Sequence, residues 1–116
     1  MILAIVGSRD FQDLPFMLSK VDSILSVTGL PAEIISGGQR GADTLSEAVA
    51  RHLGIPHRHI HADWKQYGRR AGPIRNAQVV AEADVIIAFP IGESKGTRDA
   101  ISKARKAGKR VFIHES

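Results

Sequence analysis

Residues 2–10, Ile2-Leu3-Ala4-Ile5-Val6-Gly7-Ser8-Arg9-Asp10, set five consecutive apolar side chains before a glycine and a polar turn. A strand without a polar face has no side to offer water, so this run reads as a strand covered on both faces, as in the middle of a parallel sheet. Working outward, short β-branched runs alternate with amphipathic stretches, the rhythm of parallel strands joined by crossover helices. Further strands are expected at residues 33–36, 56–62, 84–89 and 110–114. Pro15 can open a first helix with Met17, Val21, Ile24 and Leu25 on its apolar face, and Gly29 and Pro31 stop it. A second helix carries Leu45, Ala48, Val49 and Leu53 on one stripe and ends at Gly54. A third is expected to turn Ile74, Ala77, Val80 and Ala81 inward, after a polar loop over 63–72. The last, over 97–107, turns in Ala100, Ile101 and Ala104. The expected fold is a three-layer α/β/α arrangement around a five-stranded parallel sheet of order 3-2-1-4-5, with residues 1–116 forming a single domain.

The bulk properties agree with a globular chain. Of 116 residues, 43% are hydrophobic and 24% charged, which argues against a disordered or fibrous chain. Without cysteine, disulfides, thiolate metal sites and a cysteine nucleophile are excluded, leaving histidine and carboxylate as possible ligands. The first apolar run is too short for a signal peptide and lacks its basic lead-in, and no apolar stretch could span a membrane, so a cytoplasmic address is expected. A net charge of +4 favours an anionic partner, a phosphorylated metabolite or nucleic acid. Much of the excess, Lys103, Arg105, Lys106, Lys109 and Arg110, reads as the solvated face and C-terminus of the last helix, where cations complement the helix dipole.

The unusual residues sit in three loops. In a doubly wound sheet, ligands bind outside the carboxyl ends of the strands where the strand order reverses, and with order 3-2-1-4-5 the loops after strands one, two and four meet there. Ser36-Gly37-Gly38-Gln39-Arg40-Gly41-Ala42-Asp43 follows the second strand: its glycines let backbone approach a ligand, the next helix aims N–H groups at it, and Arg40 can grip a phosphate. Gly92, Lys95, Gly96 and Thr97 repeat the arrangement after the fourth strand, with Thr97 as N-cap or hydroxyl donor. Gly7, Ser8 and Arg9 do so more weakly after the first. Asp43 either satisfies a helix amide or holds a ribose hydroxyl. Arg75, with Asn76, lies in the first turns of the third helix and is a ligand contact; Trp64 stacks on a base or packs in the core. A G-x-G-x-x-G after the first strand is missing, as are an acid ending the second and a G-K-[ST] loop, which argues against ordinary dinucleotide binding and ATP hydrolysis. His57, His59 and His61 alternate along the third strand and share a face, but no carboxylate partner is apparent and solvation at a sheet edge accounts for them, so no metal and no cofactor are expected.

GSRDF (7–11), SGGQRGAD (36–43), ADWKQYGRRAGPIRN (62–76) and the loop ending at Thr97 together resemble the SLOG superfamily, and within it the small standalone YspA-like proteins. The resemblance implies a Rossmann-like fold that binds nucleotides or nucleotide-derived signals, such as ADP-ribose-type molecules, cyclic nucleotides or nucleoside phosphates, and a tendency to form dimers or larger homo-oligomers, a tetramer among them. It spans branches of different function. Cytokinin-activating phosphoribohydrolases cleave a base from a nucleoside monophosphate with an arginine and the glutamate of P-G-G-x-G-T-x-x-E. Arg75 resembles that arginine, but Ala100 stands where the glutamate would be, leaving Asp99 or Glu93 as candidate acids. Sensor domains of prokaryotic immunity and stress form a second branch. DprA-like single-stranded DNA binders, with a similar S-G-G-x-R-G-x-D loop, form a third. The leading expectation is a non-catalytic binder of a nucleotide-derived molecule, acting as sensor, carrier or sequestering protein. N-glycosidic hydrolysis is the alternative, and DNA binding is a third reading that the 5% aromatic content disfavours.

Overall fold

The computed structural model describes residues 1–37 and 41–115. Among these, β1 (Ile2–Gly7), β2 (Glu33–Ser36), β3 (His57–His59), β4 (Val85–Phe89) and β5 (Arg110–Ile113) form one parallel sheet of order β3-β2-β1-β4-β5. The helices are α1 (Leu14–Thr28), α2 (Ala42–Leu53), the single-turn α3 (Trp64–Tyr67), α4 (Ala71–Glu82) and α5 (Lys95–Lys106). This is the expected Rossmann-like α/β architecture. No described helix is long and apolar enough to cross a membrane.

Side-chain alternation along the central strands builds the layers. Leu3 and Ile5 of β1, with Val85, Ile87 and Phe89 of β4, face α1 and α2, where Met17, Val21, Ile24, Leu25 and Val49 complete one apolar cluster. Ala4 and Val6, with Ile86 and Ala88, face α4 and α5, where Val79, Val80, Ala100, Ile101 and Ala104 complete the other. Both faces of β1 and β4 are thereby apolar and covered, which is why their sequences carry no alternation. Each fully buried Leu, Ile or Phe contributes about 1.5–3 kcal/mol. The first helix buries the four residues expected of it and begins on a cap, the Asp13 carboxylate accepting from the amide of Phe16 at 3.0 Å with proline in the first turn.

Three expectations are corrected. Strand β3 is shorter than 56–62, because its ladder with β2 ends at His59 opposite Ser36. The 63–72 stretch is not simply a loop: it holds α3, capped by Asp63, and a 3-10 turn over Gly68–Arg70. Most consequential is α4, which exposes Ile74, Ala77 and Ala81 and turns Ala71, Arg75, Asn76, Val79 and Val80 inward. The apolar stripe was misplaced because two polar residues occupy the inward face, where they serve the cleft described next. At the sheet edge, Arg58 of β3 reaches Glu33 at 3.1 Å and Glu82 of α4 at 2.6 Å, tying the edge strand to the helix layer.

Candidate functional site

Strand β1 pairs on one side with β2 and on the other with β4, so the chain departs in opposite directions at its carboxyl end and leaves a crevice there. A cleft of about 400 Å³ occupies it. The loop after β1 contributes Gly7, Ser8, Arg9 and Asp10, the loop after β2 Gly37, and the start of α2 Asp43. From the other side come Arg75 and Asn76 of α4, Glu93 and Ser94 before α5, and Lys95, Gly96 and Thr97 of its first turn. Val6, Val79, Ile91 and Ala100 add apolar lining.

The first two loops are locked by backbone bonds. Ser8 donates its amide to the Phe89 carbonyl (3.1 Å), and its own carbonyl accepts from Phe11 (3.2 Å) and Ala42 (3.1 Å). Gly41, before α2, has φ +74 and packs against the carbonyls of Ser8 and Arg9, where any side chain would collide. The Ala42 amide is therefore spent on protein. Helix α5 differs: Ser94 caps it in the left-handed region (φ 38) without a side-chain cap bond, and the amides of Lys95, Gly96 and Thr97 meet no protein acceptor among the described residues. Those N–H groups and the helix dipole make the first turn of α5 receptive to an anion.

Beside that turn, Arg75 is buried (7% exposed), donating Nη1 to the Gly37 carbonyl at 2.6 Å and Nε to Asn76 Oδ1 at 3.0 Å. Burial pulls its guanidinium below the usual arginine range and the neighbouring Asp43 carboxylate pushes the other way. The group stays charged at neutral pH. A Cβ on Gly37 would lie 2.6 Å from Arg75 Nη1 and 3.1 Å from the Asp43 carboxylate, so glycine is what lets the loop, the arginine and the acid crowd together. Arg9 and Lys95 are exposed at the margin.

Of the residues expected at the site, Gly7, Ser8, Arg9, Gly37, Asp43, Arg75, Asn76, Glu93, Lys95, Gly96 and Thr97 are brought together; Gly38 and Arg40 lie outside the described residues. Others have different employment. Ser36 is fully buried with its hydroxyl 3.0 Å from His59 Nδ1 and 3.2 Å from His57 Nε2. Gly92 lies outside the lining, its carbonyl accepting from Arg98. Trp64 is 56% exposed at the start of α3 with its ring against Gly72, away from the cleft. Asp99 also lies off the lining, accepting from Asn76 Nδ2 (3.0 Å) and Lys103 Nζ (2.5 Å). Thr97 is not the cap but accepts from the Ser94 hydroxyl at 2.8 Å. Sequence reasoning missed Asp10 and Ser94; a left-handed serine leaves no mark in sequence. It also missed the carboxylate beside the histidines, since Glu47 of α2 reaches 3.7 Å from His59 Nε2. His57 Nε2 lies 3.0 Å from the Ser46 hydroxyl, which already donates to the Asp43 carbonyl at 2.5 Å, so the imidazole is the donor. No cluster suited to a metal ion occurs among the described residues.

A parallel doubly wound sheet with a cleft at its switch point defines a Rossmann-like α/β protein. Residues 1–67 match the YspA, cpYpsA-related SLOG family (YAcAr), and the chain belongs to that family. It is also similar to the Gene 61 protein of Mycobacterium phage D29, 38% identical over 111 residues that cover 90% of this chain and 88% of that protein. Membership suggests a nucleotide-related role.

Proposed function

We infer that this protein binds a nucleotide-derived small molecule in the cleft, holding its phosphate between the first turn of α5 and Arg75, and acts as a sensor or sequestering protein. The observation that carries this reading is the meeting of a buried guanidinium with three helix amides that find no acceptor among the described residues, two independent anion-binding devices lining the same cleft. The volume falls within the range of small-molecule sites, and Val6, Val79, Ile91 and Ala100 offer an apolar surface to a base. Asp43 and Asp10 supply acceptors for ribose hydroxyls.

The state of the Asp99 carboxylate speaks against its serving as the acid of an N-glycosidic hydrolysis. Both oxygens of Asp99 are engaged, and although burial raises its pKa, the bonds from Lys103 and Asn76 outweigh this and hold it below the ordinary range, the opposite of what a proton donor needs. Titration calorimetry with ADP-ribose, cyclic ADP-ribose isomers, cyclic dinucleotides and AMP tests the proposal, with chromatography of the same mixtures. Saturable binding of at least one, returned intact, is expected. No binding by any would refute ligand recognition, and free base released from AMP would refute the non-catalytic reading.

A further inference from the structure

Asn76 stands where two helices meet. Its Nδ2 donates to the Gly96 carbonyl (3.1 Å) and Asp99 Oδ2 (3.0 Å) of α5, while its Oδ1 accepts from Arg75 Nε (3.0 Å) on its own helix. At one end of this chain Lys103 donates to Asp99 Oδ1, and at the other Arg75 Nη1 donates to the Gly37 carbonyl after β2. Both Arg75 and Asn76 are only 7% exposed.

The polarity of these partners permits one arrangement. A carbonyl and a carboxylate only accept, and a guanidinium Nε only donates. Turning the Asn76 amide over would set its oxygen against two acceptors and its NH₂ against a donor, in a buried place where unmatched polar groups are costly. The amide orientation is therefore dictated by Asp99 and Gly96. That orientation presents Oδ1 to Arg75 Nε, and a planar guanidinium held at both Nε and Nη1 cannot rotate. Gly96 belongs to the turn whose amides find no acceptor among the described residues, so the same side chain fixes the second anion-binding device relative to the first.

We propose that Asn76 and Asp99 are positioning residues: the Asp99 carboxylate orients the Asn76 amide, and Asn76 locks the Arg75 guanidinium and the first turn of α5 into a single preorganised phosphate seat. The assignment rests on the ligand reading above and adds a residue to it, Asp99, that acts without lining the cleft. It also replaces the role of candidate acid for Asp99.

Exchange of the two polarities tests this. Asn76→Asp alone sets a carboxylate against Asp99 and the Gly96 carbonyl, and affinity for ADP-ribose is expected to fall roughly tenfold or more, as for loss of a charge-assisted bond. Adding Asp99→Asn restores a donor facing an acceptor between these two side chains but leaves the Gly96 carbonyl against a carboxylate oxygen, so the double variant is expected to regain part of that loss, a non-additivity that independent sites do not show. A double variant no tighter than Asn76→Asp would overturn the proposal. A second arm needs no ligand: the Arg75 Nε–H proton, followed by NMR, is expected to exchange slowly with solvent in the wild type and markedly faster in Asp99→Ala with the backbone spectrum still folded. Unchanged exchange would overturn the positioning role. Should the wild type bind no ADP-ribose, the nucleotide reading is weakened while the exchange arm still decides whether Asp99 positions Arg75.

Discussion

Replacing Gly37 by alanine adds one methyl group at the most crowded point of the cleft. The new Cβ would lie 2.6 Å from Arg75 Nη1 and 2.9 Å from its Cζ. Ordinary contact needs about 3.5 Å, so the guanidinium must retreat by about 1 Å. Its 2.6 Å bond to the Gly37 carbonyl then lengthens past useful range, and the restraint from Asn76 blocks a simple rotation away. Overpacking of this kind costs about 1–3 kcal/mol of stability. The effect on function is larger in proportion, because a displacement of about 1 Å in a positioned group can cost on the order of 100-fold. Urea denaturation and calorimetry with the tightest nucleotide measure the two together. The expected result is a folded protein, less stable by about 1–3 kcal/mol, with affinity reduced roughly 10- to 100-fold. Wild-type affinity in Gly37→Ala would refute the claim that Arg75, held against this loop, reads the phosphate.

Two further outcomes follow from the same geometry. Gly96 lies in the first turn of α5, with nothing within 4 Å of a Cβ added there and a backbone that alanine tolerates, so Gly96→Ala should stabilise the free protein by about 0.5–1 kcal/mol. Because Gly96 lines the cleft, the same methyl should weaken ligand binding, and a melting curve paired with a titration separates the effects; equal or tighter binding would argue against an anion seated on this turn. For pH, burial first and then His59 lower the pKa of His57 beneath 6.5, despite the opposing Glu47 and Glu33; burial and Lys20 lower that of His114 likewise. Above the unfolded value both states are neutral and nothing changes, whereas below it the unfolded chain takes up protons first and stability falls. Tm should therefore drop on acidification from neutrality through the histidine range, less steeply in His57→Gln, and a slope indifferent to that substitution would refute the assignment to His57.

The strand order was legible because β1 and β4 lack any polar face, and a strand without one belongs in the middle of a parallel sheet. The loops of the cleft were legible because glycines clustered with basic residues mark close backbone approach. The face of α4 was not: periodicity assumes that inward means apolar, and Arg75 and Asn76 violate that where the cleft needs buried polar groups. Glu47 beside His59 and Asp99 beside Asn76 join residues from different elements, so only packing reveals them. Trp64 was placed by adjacency to the strand end, but α3 carries it outward instead.

Chemical-shift mapping on ¹⁵N-labelled protein during titration with ADP-ribose and with AMP addresses the phosphate seat most directly. The account predicts saturable shifts concentrated at Ser8, Gly37, Asn76 and the amides of Lys95, Gly96 and Thr97, together with the Arg75 Nε–H. Shifts confined to the exposed face of Trp64, Tyr67 and Ile74, or no shifts at saturating nucleotide, would contradict it.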